Sequence, residues 1–149
     1  MRLEDILAHK GNEIASIEPE RTLLEAIDLL NAKKIGALLV RSADRIDGIV
    51  TERDVLRACH LRLNDLSRLK VSEVMTKELV IGKTDDTIDY AMAVMTRKRI
   101  RHLPVFHHGE LAGMVSIGDL VSARLLDADI EIRMLHDYVH GYVSWPKTG

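Results

Sequence analysis

The sequence predicts an α+β fold in which two β-α-β-β-α repeats pack as a pseudo-two-fold pair, followed by a short C-terminal helix. The first observation is an internal repeat, because residues 14–58 align with residues 79–123 without a gap. The second is that both copies show the same order of strand and helix signals. Two repeats are too few for a solenoid, so we expect them to face each other. The identical aligned pairs are Thr22/Thr87, Ala26/Ala91, Lys33/Lys98, Ile35/Ile100, Leu38/Leu103, Val40/Val105, Gly48/Gly113, Val50/Val115, Asp54/Asp119 and Ala58/Ala123.

Each repeat begins with a short predicted strand and a capped helix. The strands are expected at Glu13–Ile17 and Leu79–Ile81. Thr22 and Thr87 stand at the N-cap of the helix that follows, and Glu25 completes a capping box with Thr22. Both helices carry apolar residues at helical spacing. These residues are Leu23, Ala26, Ile27 and Leu30 in the first copy, and Ile88, Ala91, Met92 and Met95 in the second.

A hairpin and a second helix complete each repeat. Basic clusters, Lys33-Lys34 and Arg97-Lys98-Arg99, suit the C-terminus of the first helix. Buried strands are expected next, at Ile35–Val40 and Ile100–Val105. A third strand follows in each repeat, around Gly48 and Gly113. The second helix of each repeat is then expected to begin at Thr51 and Ser116. We expect a small mixed sheet in each repeat, with both helices on one face.

The remaining segments divide the chain into residues 1–66, residues 67–126 and a helical tail at 127–149. Leu3–Leu7 and Val71–Met75 are short amphipathic lead-ins to the two repeats, and Asn64–Lys70 is a polar linker. An added helix is expected at Ile130–His140, with Asp129 capping its start and Gly141 its end.

Bulk composition narrows the function classes. A formal net charge of −2 gives no electrostatic case for nucleic acid or an anionic membrane as partner. No apolar run approaches the ~20 residues that span a bilayer. The acidic start lacks the apolar region of a signal peptide, and the single cysteine, Cys59, has no partner for an internal disulfide. We therefore expect a cytoplasmic protein.

Two copies of a Gly-apolar-apolar-Ser/Thr-x-x-Asp motif, Gly48–Asp54 and Gly113–Asp119, resemble the signature of CBS domains. The strand Arg101–Val105 and the element order resemble this family as well. The resemblance covers residues 3–125 and implies a Bateman module, in which two repeats pack through their sheets around two related clefts. It implies an adenosyl ligand, such as AMP, ADP, ATP or S-adenosylmethionine, and a homodimer. Because no effector domain is attached here, we expect the output to pass to a separate partner protein.

The motif carries groups suited to a ribose. Asp54 and Asp119 each supply a carboxylate that can accept hydrogen bonds from two adjacent hydroxyls. Thr51 and Ser116, three residues earlier, lie on the same face of a helical turn and can join them. Their alternative role is simple N-capping of the second helix.

The adenine and the phosphates need different surroundings. By resemblance, the adenine slot lies between the first strand of a repeat and the strand before its glycine. The candidate residues are Ile14, Ser16, Ala37 and Leu38 in the first repeat, and Leu79, Ile81, Leu103 and Pro104 in the second. Pro104 also predicts a strand edge or bulge. Arg53, Arg101 and His102 occur in one repeat only, so we expect the clefts to be inequivalent and these cations to converge on one phosphate.

The leading hypothesis is a regulatory nucleotide sensor, with AMP the favoured ligand and NAD(H) another candidate. The alternative is a structural or interaction module without a tight ligand, using the aromatic tail with Tyr138, Tyr142 and Trp145. An enzyme is disfavoured because no acid–base pair or nucleophile stands out. His136 and His140 have a zinc-compatible spacing, but no third ligand is evident, so no metal site is expected.

Overall fold

A computed structural model describes residues 1–61, 65–125 and 128–140, with no side-chain detail at 128–131. The helices are α1 (Leu3–Lys10), α2 (Leu23–Lys33), α3 (Glu52–Leu61), α4 (Val71–Val74), α5 (Ile88–Lys98), α6 (Ile117–Leu125) and α7 (Ala128–Val139). The strands are β1 (Ser16–Ile17), β2 (Ala37–Ser42), β3 (Arg45–Thr51), β4 (Gly82–Lys83), β5 (His102–His107) and β6 (Glu110–Ser116). The α+β fold and the repeated element order are confirmed.

The first helix of each repeat is built as its sequence predicts. The Thr22 hydroxyl accepts a 3.2 Å hydrogen bond from the Glu25 N–H, while the Glu25 carboxylate accepts one from the Thr22 N–H. Thr87 caps α5 in the same way through the Tyr90 N–H. Both helices end at a basic residue in the left-handed conformation, Lys34 at φ 54° and Arg99 at φ 54°.

Each repeat forms its own three-stranded sheet, with strand orders β1-β2-β3 and β4-β5-β6. The first pair of strands in each sheet is parallel and the second pair is antiparallel. The two hairpins share one register, which shifts between Val40 and Arg41 and between Val105 and Phe106. The sheets are therefore near copies of each other, as the internal repeat predicts.

Several predicted boundaries are wrong by one to three residues. β2 begins at Ala37 and β5 at His102, each two residues later than predicted. The strand predicted at Leu79–Ile81 begins at Gly82. In the first repeat the Leu39 N–H donates a 3.1 Å bond to the Ala15 carbonyl. Pro104 stands at the position of Leu39 and has no N–H to donate, so the pairing of β4 starts later.

The tail helix also differs from its prediction. It begins at Ala128, so Asp129 lies inside it rather than at its N-cap. Gly141, predicted to end it, lies outside the described residues, as do Tyr142 and Trp145.

Three groups of buried residues hold the fold together. Two are the cores of the repeats, where the helices cover one face of each sheet. The third lies between the two sheets, where Ala37, Leu39 and Ile49 of the first repeat pack with Leu79 and Met114 of the second. The repeats thus pack through their sheets, and the edge of this contact is where a shared cleft can form.

The two lead-in helices are exchanged between the repeats. α1 packs on the second repeat, where the Leu3 N–H donates a 3.0 Å bond to the Asp86 carbonyl. α4 packs on the first repeat, where the Val71 N–H donates a 2.8 Å bond to the Arg21 carbonyl. Each helix therefore brings residues that precede one repeat in the sequence onto the motif of the other repeat, which the sequence pattern alone does not reveal.

Candidate functional site

A cleft of about 460 Å³ lies between the two repeats. Its apolar lining combines Ile49 of the first repeat with Leu79, Val80, Ile100 and Pro104 of the second. Pro104 and Val80 lie here because the strand pairing that joins Leu39 to Ala15 is missing at their positions. The sequence predicts a strand edge or bulge at Pro104, and in the structure Pro104 pairs with Met114 on one side, while β4 pairs with β5 only from Val105 onward.

Asp54 stands at the polar end of this cleft and is 3% exposed. Its Oδ2 accepts a 2.9 Å bond from the Thr51 N–H and a 3.1 Å bond from the Thr51 hydroxyl. Its Oδ1 accepts a 3.0 Å bond from the Thr76 hydroxyl, and the Arg57 guanidinium lies 3.7 Å away. Thr51 and Asp54 therefore do cap α3, and both carboxylate oxygens of Asp54 already accept hydrogen bonds.

Cations from opposite repeats meet at the same cleft. Arg53 on α3 reaches across and donates a 2.8 Å bond to the Arg99 carbonyl, at the end of α5. Arg101 and His102 follow this segment and line the cleft with Arg53. The structure brings these three side chains to one cleft, and their convergence on a phosphate stays a prediction.

His102 occupies space that a glycine leaves open. A Cβ on Gly36 would lie 2.9 Å from His102 Cε1 and 3.2 Å from the Glu52 carboxylate. Burial lowers the pKa of His102, and this effect exceeds the opposing influence of Glu52. Burial therefore favours the neutral form of the His102 imidazole, although the carboxylate of Glu52 from the first repeat is nearby.

The second copy of the motif is arranged differently. Asp119 Oδ2 accepts a 2.8 Å bond from the Ser116 N–H, so the capping role is repeated. The same oxygen lies 2.6 Å from the ammonium of Lys10, at the end of α1. Burial raises the pKa of Asp119, whereas the hydrogen bonds from Lys10 and Ser116 lower it. The lowering is the larger effect in sum, so the pKa of Asp119 lies below its ordinary value.

The other predicted residues lie apart from the cleft lining. Ile14 and Ala37 pack between the sheets. Leu38 and Leu103 are buried in the cores of their own repeats, and Ile81 is exposed. Ser16 lines a separate groove of about 370 Å³ beside α2. None of these six residues lines the cleft that holds Asp54.

Several cleft residues escape the sequence prediction. These are Gly36, Ile49, Glu52, Leu56, Arg57, Thr76, Glu78, Val80, Lys98, Arg99 and Ile100. Arg57 follows Asp54 by three residues and could be found from helical spacing. Thr76, like Lys10 at the second motif, arrives through an exchanged lead-in, for which the sequence carries no signal.

Among the residues that the structure describes, no group of three or more His, Cys, Asp and Glu side chains could hold a metal ion. His136 and His140 stack with ring centroids 4.1 Å apart. No helix within the described ranges has the length and apolarity needed to cross a bilayer.

The fold and the site define a paired-repeat module with a cleft between its halves. A family model described as "CBS domain" matches residues 3–61 and 71–126, so the chain belongs to the CBS domain family. The plant protein "CBS domain-containing protein CBSX3, mitochondrial" from Arabidopsis thaliana is 31% identical over 148 residues, covering 93% of this chain and 72% of the relative.

Two solved structures illustrate the range of similarity. The CBS-domain containing protein ATU1752 from Agrobacterium tumefaciens matches with a TM-score of 0.81 and 39% identity, covering 83% of this chain and 99% of that one. The CBS domain pair of protein MJ0100 was solved in complex with 5′-methylthioadenosine and S-adenosyl-L-methionine. It matches with a TM-score of 0.72 and 20% identity, over 83% of this chain and 95% of that one. CBS pairs are commonly regulatory and ligand-binding modules.

Proposed function

We propose that this chain is a regulatory sensor that binds an adenosine nucleotide in the cleft between its repeats and signals to a separate protein. The main support for the proposal is that a buried carboxylate and several basic side chains line the same cleft. Asp54 lies at its buried end, and Arg53, Arg101 and His102 come together from both repeats. This arrangement suits a ligand with a hydroxyl-bearing part and an anionic part.

Each part of a nucleotide has a matching surface. The Asp54 carboxylate accepts hydrogen bonds from ribose hydroxyls after the Thr76 hydroxyl is displaced. Leu79, Val80 and Pro104 provide an apolar slot for the base, together with the backbone freed at β4. Arg53 and Arg101 bind the phosphate, for which the guanidinium fork is well shaped. The volume of about 460 Å³ falls in the usual range for small-molecule sites, about 300–1,000 Å³.

AMP is the favoured ligand, and ADP, ATP and NAD(H) share its adenosine and a phosphate. The complex of MJ0100 with two adenosyl compounds supports the ligand class, at the level of the shared fold. The proposed role is regulatory rather than catalytic, and the protein acts as a cytoplasmic homodimer. The ligand shifts the state that a partner recognises only by its difference in affinity between two states.

A thermal-shift panel tests the proposal. The unmodified protein is compared with Asp54→Ala and Asp119→Ala in the presence of AMP, ADP, ATP, NAD, NADH and S-adenosylmethionine. A ligand at a hundred times its dissociation constant adds about 2.7 kcal/mol to the free energy of unfolding. We expect a shift that is lost in Asp54→Ala and kept in Asp119→Ala. The absence of any shift would reject the sensor role.

The alternative function, an interaction module without a tight ligand, rests on a different feature. α7 exposes apolar side chains, namely Ile132, Met134, Leu135, Tyr138 and Val139. A surface of this kind suits a protein partner. Under this alternative, removal of α7 would abolish partner binding while none of the nucleotides would change the melting temperature.

A further inference from the structure

The carboxylates of the two repeated motifs, Asp54 and Asp119, have different hydrogen-bond partners in the structure. Asp54 Oδ1 accepts a 3.0 Å hydrogen bond from the neutral hydroxyl of Thr76 and has the Arg57 guanidinium at 3.7 Å, beyond hydrogen-bond distance, whereas Asp119 Oδ2 lies 2.6 Å from the ammonium of Lys10. Lys10 also donates a 3.0 Å bond to the Met114 carbonyl, so two acceptors of the second repeat fix its ammonium. Both bonds have a charged acceptor, but only the bond from Lys10 also has a charged donor, so it is an ion pair as well as a hydrogen bond.

The difference follows from the lengths of the exchanged lead-in helices. Arg2 pairs with Thr87 as Lys70 pairs with Thr22, so Leu3 of α1 corresponds to Val71 of α4. From these matching starts α1 continues for 8 residues, whereas α4 has only 4. The additional turn of α1 carries Lys10 to the carboxylate of Asp119.

The positions aligned with the cations of the first cleft hold small residues in the second, although His102 pairs with Ser116 and is close enough to Asp119 for that charge to act on it. Gly36 and Ala37 stand where the second repeat has Arg101 and His102, and Gly118 aligns with Arg53. Lys10 is thus a cation bound to the carboxylate itself, at the position that ribose hydroxyls would need. A ligand at Asp119 would have to break this 2.6 Å ion pair, whereas a ligand at Asp54 would displace a neutral hydroxyl.

We infer that Lys10 closes the second site by occupying Asp119, so that the pair of repeats binds one adenosyl ligand per chain, at Asp54. This inference rests on the proposed function and adds the number of sites and the residue that sets it. Because the second site has few cations to offer a phosphate, its opening would admit an uncharged nucleoside in preference to a nucleotide.

Calorimetric titration with adenosine and with AMP tests the inference. The variant is Lys10→Met, which keeps the aliphatic stem and removes the ammonium. Lys77→Met, an exposed lysine outside the cleft, is the matched control. We expect one adenosine per chain for the unmodified protein and for Lys77→Met, and two for Lys10→Met. The additional site should disappear in Lys10→Met/Asp119→Asn.

The possible results separate this inference from the proposed function. Two sites in the unmodified protein, or one site in a folded Lys10→Met variant, would overturn the inference and leave nucleotide binding intact. No binding to either protein would overturn both. Circular dichroism melts confirm that each variant is folded before the sites are counted.

Discussion

The Arg53 guanidinium of the first repeat donates a 2.8 Å hydrogen bond to the Arg99 carbonyl of the second. This contact joins the start of α3 to the end of α5, and it places a cation at the mouth of the cleft between the repeats. The same side chain therefore links the two halves and faces the site proposed for a phosphate.

Arg53→Gln should weaken the binding of AMP much more than the binding of adenosine. The loss of one hydrogen bond to a charged group costs about 1.5–3 kcal/mol, which is about a ten- to hundredfold loss of AMP affinity. Calorimetry with both ligands measures the difference. Arg68→Gln, on the exposed segment before α4, is the control. An equal loss for adenosine and AMP would assign Arg53 to holding the repeats together and not to the phosphate.

Asp54→Asn should weaken every adenosyl ligand, whether or not the ligand carries a phosphate. The substitution keeps the side-chain shape but replaces charged acceptors for the ribose by a neutral amide, and it leaves the Thr51 and Thr76 hydroxyls poorly matched. We expect affinity to fall by at least tenfold, by the same estimate of about 1.5–3 kcal/mol per charged hydrogen bond. Asp119→Asn should leave affinity at the cleft nearly unchanged. Equal effects of the two variants would contradict the inequivalence of the sites.

Gly48→Ala should destabilise the fold, because Gly48 allows a close approach of backbone. A Cβ there would lie 2.5 Å from the Thr76 carbonyl oxygen, next to the bonds that pair Thr76 with Ile49. Overpacking of this kind costs about 1–3 kcal/mol. Gly118→Ala is the control, since its Cβ would meet only the Ser116 hydroxyl at 3.6 Å. Thermal melts should show a loss for Gly48→Ala and no loss for Gly118→Ala.

The stability of the protein should depend on His102 below neutral pH. Burial lowers the pKa of His102 below its ordinary 6.5, so the unfolded chain takes up this proton first as the pH falls. The contribution of His102 is fully present above pH 6.5 and is lost as the pH falls toward the folded-state pKa. Denaturant titrations at several pH values between 7 and 5 give the free energy of unfolding at each pH. In His102→Gln this free energy should fall less steeply with decreasing pH than in the unmodified protein. His60→Gln, on the exposed side of α3, is the matched control for a histidine-to-glutamine substitution.

The sequence predicted the fold well because its main signals are local or repeated. The Thr22 cap, the alignment of the repeats and the buried faces of α2 and α5 depend on spacing along the chain, and the structure reproduces them. The boundary of β4 was missed because it depends on one absent N–H at Pro104, in a neighbouring strand.

The site was predicted less completely, for a physical reason. Alignment of the two repeats finds Asp54 because it belongs to the repeated motif. It finds Arg53 and Arg101 because each aligns with a glycine in the other repeat. Lys10 and Thr76 contact the two motif carboxylates only because α1 and α4 pack on each other's repeats. That exchange is a property of the tertiary packing, which spacing along the chain does not encode.

The most direct test of the central claim is a crystal structure of the protein saturated with AMP. The account predicts one nucleotide per chain in the cleft of about 460 Å³, with its ribose hydroxyls on Asp54 and its phosphate near Arg53 and Arg101. It also predicts that Lys10 remains on Asp119. A nucleotide bound at Asp119, or an empty cleft in crystals grown at saturating AMP, would contradict it.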